Sequence, residues 1–214
     1  ISRLEDGVFR SFTTAEGLVH DMVWSLYEDR QHNLWIGTWG GGLSRFSEGS
    51  FRSYGPKDGL YANAIRTVYE DSHGTLWLGS DGDGLIRFQD GSFSALTTDD
   101  GLAGNQVQAI LEDKKGDLWV GTHRGLNRVR DGHIETFTTH HGLGSDLITA
   151  LYEDAGSGDL WIGTRAGGLN RYRDGTFFAF TPALGLADDV VFQILDDKLG
   201  NLWMSSNRGV HRVK

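Results

Sequence analysis

The segment Leu34-Trp35-Ile36-Gly37-Thr38 returns four times along the chain, as LWLGS at 76–80, LWVGT at 118–122, LWIGT at 160–164 and LWMSS at 202–206. Its tryptophans, Trp35, Trp77, Trp119, Trp161 and Trp203, stand 42 residues apart. A fixed period of this size marks a repeat protein in which each unit buries its apolar face against the next. The other two tryptophans, Trp24 and Trp39, fall outside the register.

Working outward from each Trp, the same order of elements recurs. A Gly-Leu or Gly-led pair (Gly17, Gly59, Gly101, Gly142, Gly185) precedes an Asp or Asn and then an apolar run that ends in two acids. The Trp segment follows, then Leu or Val with Arg two residues on, then an Asp-Gly or Glu-Gly turn and an aromatic-rich run. Short runs rich in Val, Ile, Phe and Tyr between Gly, Asp, Asn and Ser are strands joined by turns. The spacing predicts four strands per repeat, a (23–27), b (34–38), c (43–46) and d (51–54) in the first. No stretch of helical length carries a 3.6-residue apolar period.

The expected fold is therefore all-β: one domain over residues 1–214, a five-bladed β-propeller of four-stranded antiparallel blades with strand a innermost. Both ends of the sequence fall in the strand-c register. Residues 8–12 are then a spare strand d, expected to complete the last blade by pairing with 209–213 and to remove both free edges. A ring closed this way is expected to be monomeric.

Composition narrows the function classes. The chain has 214 residues, 20 basic and 29 acidic, a net charge of -9, no Cys, 2 Pro and 31 Gly, about twice the usual Gly share of roughly 7%. No run of 18 or more apolar residues is present to span a bilayer. The acidic balance argues against a nucleic-acid partner, which needs a basic stripe. Without Cys there is neither disulfide nor thiolate metal site, the His residues lack metal-ligand spacing, and no cofactor motif is found.

The pattern GL..N.V..I.ED..GNLWIGT..GGL.R, carried by Gly59, Leu60, Asn63, Ile65, Glu70, Asp71, Gly74, Leu76, Trp77, Gly79, Gly84 and Leu85 and their counterparts, resembles the two-component regulator propeller repeat. That resemblance implies the sensor region of a bacterial hybrid histidine kinase, a periplasmic or extracellular location and a ligand-binding role in signal transduction. Streptogramin lyases look similar over the Leu-Trp strand, but their repeat continues with an acid where Gly-Thr, Gly-Ser or Ser-Ser stands here.

The recurring Trp reads as packing between neighbouring blades. The recurring Asp (Asp29, Asp71, Asp113, Asp154, Asp197) reads as the opening residue of the a–b turn, accepting turn amides, with a calcium loop as the alternative. The strand-c arginines Arg45, Arg87, Arg128, Arg171 and Arg212, with Arg3, are expected to pair with those acids. Removing the five acidic pairs, the turn acids Asp6, Glu48, Asp90, Asp131 and Asp174, and these six arginines leaves 14 acids against 14 bases. The net charge belongs to the repeat.

Variation between repeats is where a ligand site is to be sought, because loops on a rigid scaffold carry function. The b–c loops offer Trp39, Asp81, His123 with Arg124, Arg165, and Asn207 with Arg208, five unlike chemistries at one position; drift of exposed loop tips is the competing explanation. Trp39, in a Gly-rich loop, suits stacking on a sugar or aromatic ring, or packing over a neighbouring blade. Asp21, Asn63, Asn105, Asp146 and Asp189 open strand a and are expected at the channel mouth. Three carboxylates there suit a cation or glycoside cleavage, whereas exchange of Asp for Asn suits turn capping. His123, His140 and His141 form a weak further cluster. Three readings follow: a ligand-binding or glycan-sensing propeller; a structural or engineered scaffold; and a propeller glycosidase or lyase.

Overall fold

The computed structural model describes residues 1–213 and contains 21 strands, five 3-10 turns and no α-helix among them. The protein is an all-β, five-bladed propeller. Chain contacts divide it into two compact units, Ile1–Ala95 and the part from Leu96 onward.

The first unit opens with a hairpin, β1 (Ser2–Glu5) and β2 (Val8–Ser11). Blade 1 follows as β3 (Val23–Glu28), β4 (Leu34–Thr38), β5 (Leu43–Ser47) and β6 (Ser50–Tyr54). Blade 2 is β7 (Ile65–Glu70), β8 (Leu76–Ser80), β9 (Leu85–Gln89) and β10 (Ser92–Leu96). In the second unit, blade 3 is β11 (Val107–Glu112), β12 (Leu118–Thr122), β13 (Gly125–Arg130) and β14 (His133–Phe137). Blade 4 is β15 (Ile148–Glu153), β16 (Leu160–Thr164), β17 (Leu169–Arg173) and β18 (Thr176–Phe180). Blade 5 is β19 (Gln193–Asp196), β20 (Leu202–Ser206) and β21 (Gly209–Val213). Within every blade, strands that follow one another in sequence are neighbours in the sheet.

One expectation is overturned. Residues 8–12 do not complete the last blade: β2 pairs with β1 through Arg3↔Arg10 and Leu4↔Phe9, and blade 5 is the three-stranded sheet β19-β20-β21. The reason is local. Asp6 (φ 49°) and Gly7 (φ 78°) make the same left-handed pair as Glu48-Gly49, Asp90-Gly91, Asp131-Gly132 and Asp174-Gly175. Two successive positive-φ residues form the type I′ turn whose twist matches a hairpin, so the short strand before the turn captures the one after it.

The cores lie between successive blades. Trp35, Leu43, Tyr54, Ile65, Val68 and Leu78 join blades 1 and 2; Trp119, Phe137, Ile148, Ile162 and Phe177 join blades 3 and 4; Leu169, Val191, Ile194 and Met204 join blades 4 and 5. The Gly of each Leu-Trp segment permits that approach. An added Cβ on Gly121 would stand 2.5 Å from Ile148 Cγ2 on the next blade, and one on Gly37 would stand 2.7 Å from the Ile65 carbonyl oxygen. Overpacking of this kind costs about 1–3 kcal/mol. Gly121→Ala is therefore expected to lower the urea midpoint clearly, whereas Gly156→Ala, whose Cβ meets nothing nearer than 3.4 Å, leaves it unchanged; equal midpoints would remove this role from Gly121.

The acidic pairs tie turns together. Asp29 accepts hydrogen bonds from the backbone N–H of Gln31 (3.0 Å) and Asn33 (2.8 Å), from Asn33 Nδ2 (2.8 Å) and from Trp35 Nε1 (2.7 Å). Trp77 donates likewise to Asp71, Trp119 to Asp113 and Trp203 to Asp197, at 2.8–3.0 Å. In blade 4 the turn is one residue longer, and Asp154 accepts instead from Gly156 and Ser157. The glutamate of the pair serves the preceding blade: Glu70 accepts the Arg30 N–H at 2.9 Å, and Glu153 the Lys114 N–H. The strand-c arginines differ from expectation. Arg45, Arg128, Arg171 and Arg212 lie 5.6–6.0 Å over the cross-strand Trp rings of their own blades, a cation–π contact.

Candidate functional site

One backbone hydrogen bond sets the variable b–c loop residue beside strand a in each of four blades. Trp39 N–H donates to the Met22 carbonyl (2.9 Å), Asp81 to Ala64 (3.0 Å), His123 to Gln106 (3.1 Å) and Arg165 to Leu147 (2.9 Å). Two residues beyond each of these carbonyls the strand pairing shifts by one residue, between Val23 and Ser25, Ile65 and Thr67, Val107 and Ala109, and Ile148 and Ala150. The bulged residues are Trp24, Arg66, Gln108 and Thr149. A bulge bends its strand and re-aims one side chain, so each of these four blades sets a bulge residue next to a loop residue.

In the first unit these elements converge. The Trp39 and Trp24 rings are 4.4 Å apart at 53°, the Arg66 guanidinium lies 4.3 Å over Trp24, and Arg66 Nε donates to Asp81 Oδ1 at 3.0 Å. Trp39 is 42% exposed, while the Asp81 side chain is 11% exposed. The result is an open indole backed by a second indole and fixed through a cation to a nearly buried carboxylate. The loop under Trp39 is held by Asn63, whose carbonyl accepts from Gly40 N (2.7 Å) and Gly42 N (2.8 Å). A flat apolar ring face can stack on such a platform while its polar edge meets the ion pair.

The other expected site residues are placed as follows. Among the described residues His123 Nδ1 is buried without a hydrogen-bond partner, and Arg124 N donates to Thr122 Oγ1 at 3.1 Å. The Arg165 carbonyl accepts from Ser145 Oγ at 2.8 Å. Arg208 Nη1 donates to the Ala187 carbonyl at 3.1 Å, and Asn207 lies exposed beside it. Asp21, Asn105 and Asp146 each accept the N–H of the residue seven earlier, Thr14 (2.7 Å), Thr98 (2.8 Å) and Thr139 (2.6 Å), bracing 3-10 turns. The Asp189 carbonyl accepts from Gly168 N at 2.8 Å. His141 Nδ1 accepts from Thr138 N at 3.0 Å in a turn next to His140. Among the described residues no three His, Cys, Asp or Glu side chains gather as a metal ion requires.

Sequence reading had missed Trp24 and Arg66, although a signal was present. Strand a reads VWSLYE, IRTVYE, VQAILE and ITALYE, and its second residue varies in chemistry while its neighbours stay regular.

A cleft of 680 Å³ lies on the a–b turn side of blades 3 and 4. It is lined by Asp117 paired with Arg130 and by Asp159 paired with Arg173, both carboxylates buried. The hydrogen bond from Arg130 holds the Asp117 carboxyl below its usual range. Its charges are matched inside the cleft, which makes it a structural seam.

Fold and repeat define a β-propeller built from Leu-Trp blades. The family model described as two component regulator propeller matches residues 17–40, 62–82 and 101–124. Among solved structures it is similar to the extracellular domain of a protein assigned as the hybrid two component system BT3049 from B. thetaiotaomicron, with 25% identity over 97% of this chain and a TM-score of 0.84. The corresponding domain of BT4673 from the same organism is 24% identical over 92% of this chain, with a TM-score of 0.62. This chain spans 29% and 30% of those two chains. An inactive virginiamycin B lyase from Staphylococcus aureus shares the fold, with 16% identity, a TM-score of 0.75, and coverage of 98% of this chain and 71% of that one. No curated protein matches by sequence. Among the described residues no helix is long and apolar enough to cross a membrane.

Proposed function

We propose that the chain is a ligand-recognition portion of a two-component signalling protein, working outside the cytoplasm, and that it takes a saccharide-like ligand on Trp39. The observation that carries this reading is the open Trp39 ring packed at a tilt against Trp24, beside the Arg66–Asp81 pair. A pyranose ring has an apolar face for the indole and hydroxyl groups that accept from the guanidinium and donate to the carboxylate. The relation to extracellular two-component domains supports the location and the signalling context. A hydrolase on the strand-a carboxylates is disfavoured, because Asp21 and Asp146 are engaged in their own turns.

Titration of the intact chain with a panel of neutral and acidic oligosaccharides, read by tryptophan fluorescence and calorimetry, tests the proposal. Trp39→Ala is expected to weaken binding by about tenfold or more, equivalent to at least about 1.4 kcal/mol, while Trp39→Phe retains most of it. A chain that binds no member of the panel, or binds equally well without the indole, is better read as a scaffold.

A further inference from the structure

Met22 is the joint of the Trp39 platform. Its carbonyl accepts the Trp39 N–H at 2.9 Å, and Trp24 follows two residues later on strand a. The N–H of the same residue donates to His20 Nδ1 at 3.1 Å. His20 also lies against the loop that carries Trp39. A Cβ on Gly40 would stand 3.7 Å from His20 Nε2, and one on Gly41 would stand 2.7 Å from His20 Cβ. The imidazole therefore sits between the entry to strand a and the Trp39 loop, and glycine at position 41 admits it.

The same register in later blades holds other acceptors. Ser145 Oγ accepts from Leu147 N at 3.2 Å and Asp188 Oδ1 from Val190 N at 3.1 Å, each side chain capping the N–H two residues on. The Ser145 hydroxyl also donates to the Arg165 carbonyl at 2.8 Å, so in blade 4 too this cap bears on the variable loop. His20 is the member of the set whose acceptor can be lost near neutral pH. A histidine changes charge between about pH 5 and 8, and an imidazole protonated on both nitrogens has two donors and no acceptor. A hydroxyl or a carboxylate keeps its lone pairs over that range. The loop at 38–42 brings no titratable side chain to His20. Asp21, next in the chain, is turned to Thr14, accepting its N–H at 2.7 Å and its hydroxyl at 3.4 Å. Across the site Arg66 and Asp81 hold each other at 3.0 Å.

We propose that His20 is a positioning residue for Trp39 and makes ligand capture on that indole sensitive to pH. With its Nδ1 lone pair free, His20 fixes the Met22 N–H and, through the Met22 carbonyl, the Trp39 loop. When Nδ1 takes up a proton, two N–H groups face each other where a hydrogen bond had been, and the platform loosens. The inference rests on the reading of Trp39 as a saccharide platform. It adds that binding is strong at neutral pH and weakens toward about pH 5.

The paired indoles supply a reporter that needs no ligand. Rings 4.4 Å apart at 53° couple their electronic transitions, and the resulting far-ultraviolet dichroism couplet is assigned by its loss in Trp39→Ala. In the intact chain the couplet is expected to shrink from about pH 8 to about pH 5. Affinity for the saccharide of the panel that binds best is expected to fall about threefold to tenfold over the same interval, the range given by one ordinary hydrogen bond. His20→Ala should be weak at both ends. His20→Ser, which offers the acceptor that Ser145 offers in blade 4, should recover couplet and affinity relative to the Ala variant and show no dependence on pH. A wild-type couplet that is the same at both ends overturns the inference, and so does a pH response that persists in His20→Ser. Either result, with saccharide still bound, leaves the reading of Trp39 standing. A couplet that responds as expected in a chain that binds no saccharide supports the role of His20 and counts against that reading.

Discussion

Trp119→Ala is expected to destabilise the second unit by about 4 kcal/mol, the range found for removing a fully packed aromatic side chain, while Trp203→Ala costs less than about 1 kcal/mol. The two residues share a repeat position and a hydrogen bond, Nε1 donating to Asp113 at 2.8 Å and to Asp197 at 3.0 Å. Packing is what separates them. Trp119 is 2% exposed and meets Phe137 at 5.7 Å and Tyr172, from the following blade, at 5.2 Å. Trp203 is 37% exposed. Urea unfolding of the two variants, followed by near-ultraviolet dichroism, measures the difference. Equal losses would mean that the indole serves its Asp, and that burial between blades contributes little.

This contrast marks how far the sequence could be read. The 42-residue period predicted the strands of each blade to within a residue or two, because alternation and turn residues act locally. Residues 34–38 were expected as strand b and form β4 without change. Pairing between distant segments was less legible. The hairpin at Asp6-Gly7 and the completion of blade 5 compete for the same strand, and periodicity scores both equally. At the site, Trp39 and Asp81 were visible as loop variation, but their partners were not. Trp24 and Arg66 reach them only because strand a carries a bulge, and a bulge leaves the spacing of the sequence unchanged. The strand-c arginines show the same limit: their charge suggested the acids, whereas their cross-strand register places them over the Trp rings.

The turn acids carry the second large effect. Asp29→Ala is expected to cost about 3 kcal/mol, because it removes the acceptor for four N–H donors and leaves the Trp35 indole N–H buried without a partner. Asp29 itself is buried. Burial raises its carboxyl pKa, but the hydrogen bonds from Asn33, Trp35 and the turn amides outweigh this and the net shift is downward. The Asp197 carboxyl is lowered to about 2, chiefly by the hydrogen bond from Trp203, and Asp154 is lowered by Ser157. A carboxyl whose folded pKa lies below its unfolded value, about 3.9, adds stability that is complete above the unfolded value and disappears as pH falls through the folded one. The contribution of these carboxyls should therefore stay constant from neutral pH down to about 4 and disappear between there and about 2. Asp29→Asn keeps an oxygen for the turn but cannot titrate, so it should weaken the fold at neutral pH and flatten the acid limb of the stability curve. Urea midpoints of wild type and variant across that pH interval decide the matter: parallel curves would show that Asp29 titrates alike in the folded and unfolded chains and that its hydrogen bonds to the turn favour neither protonation state.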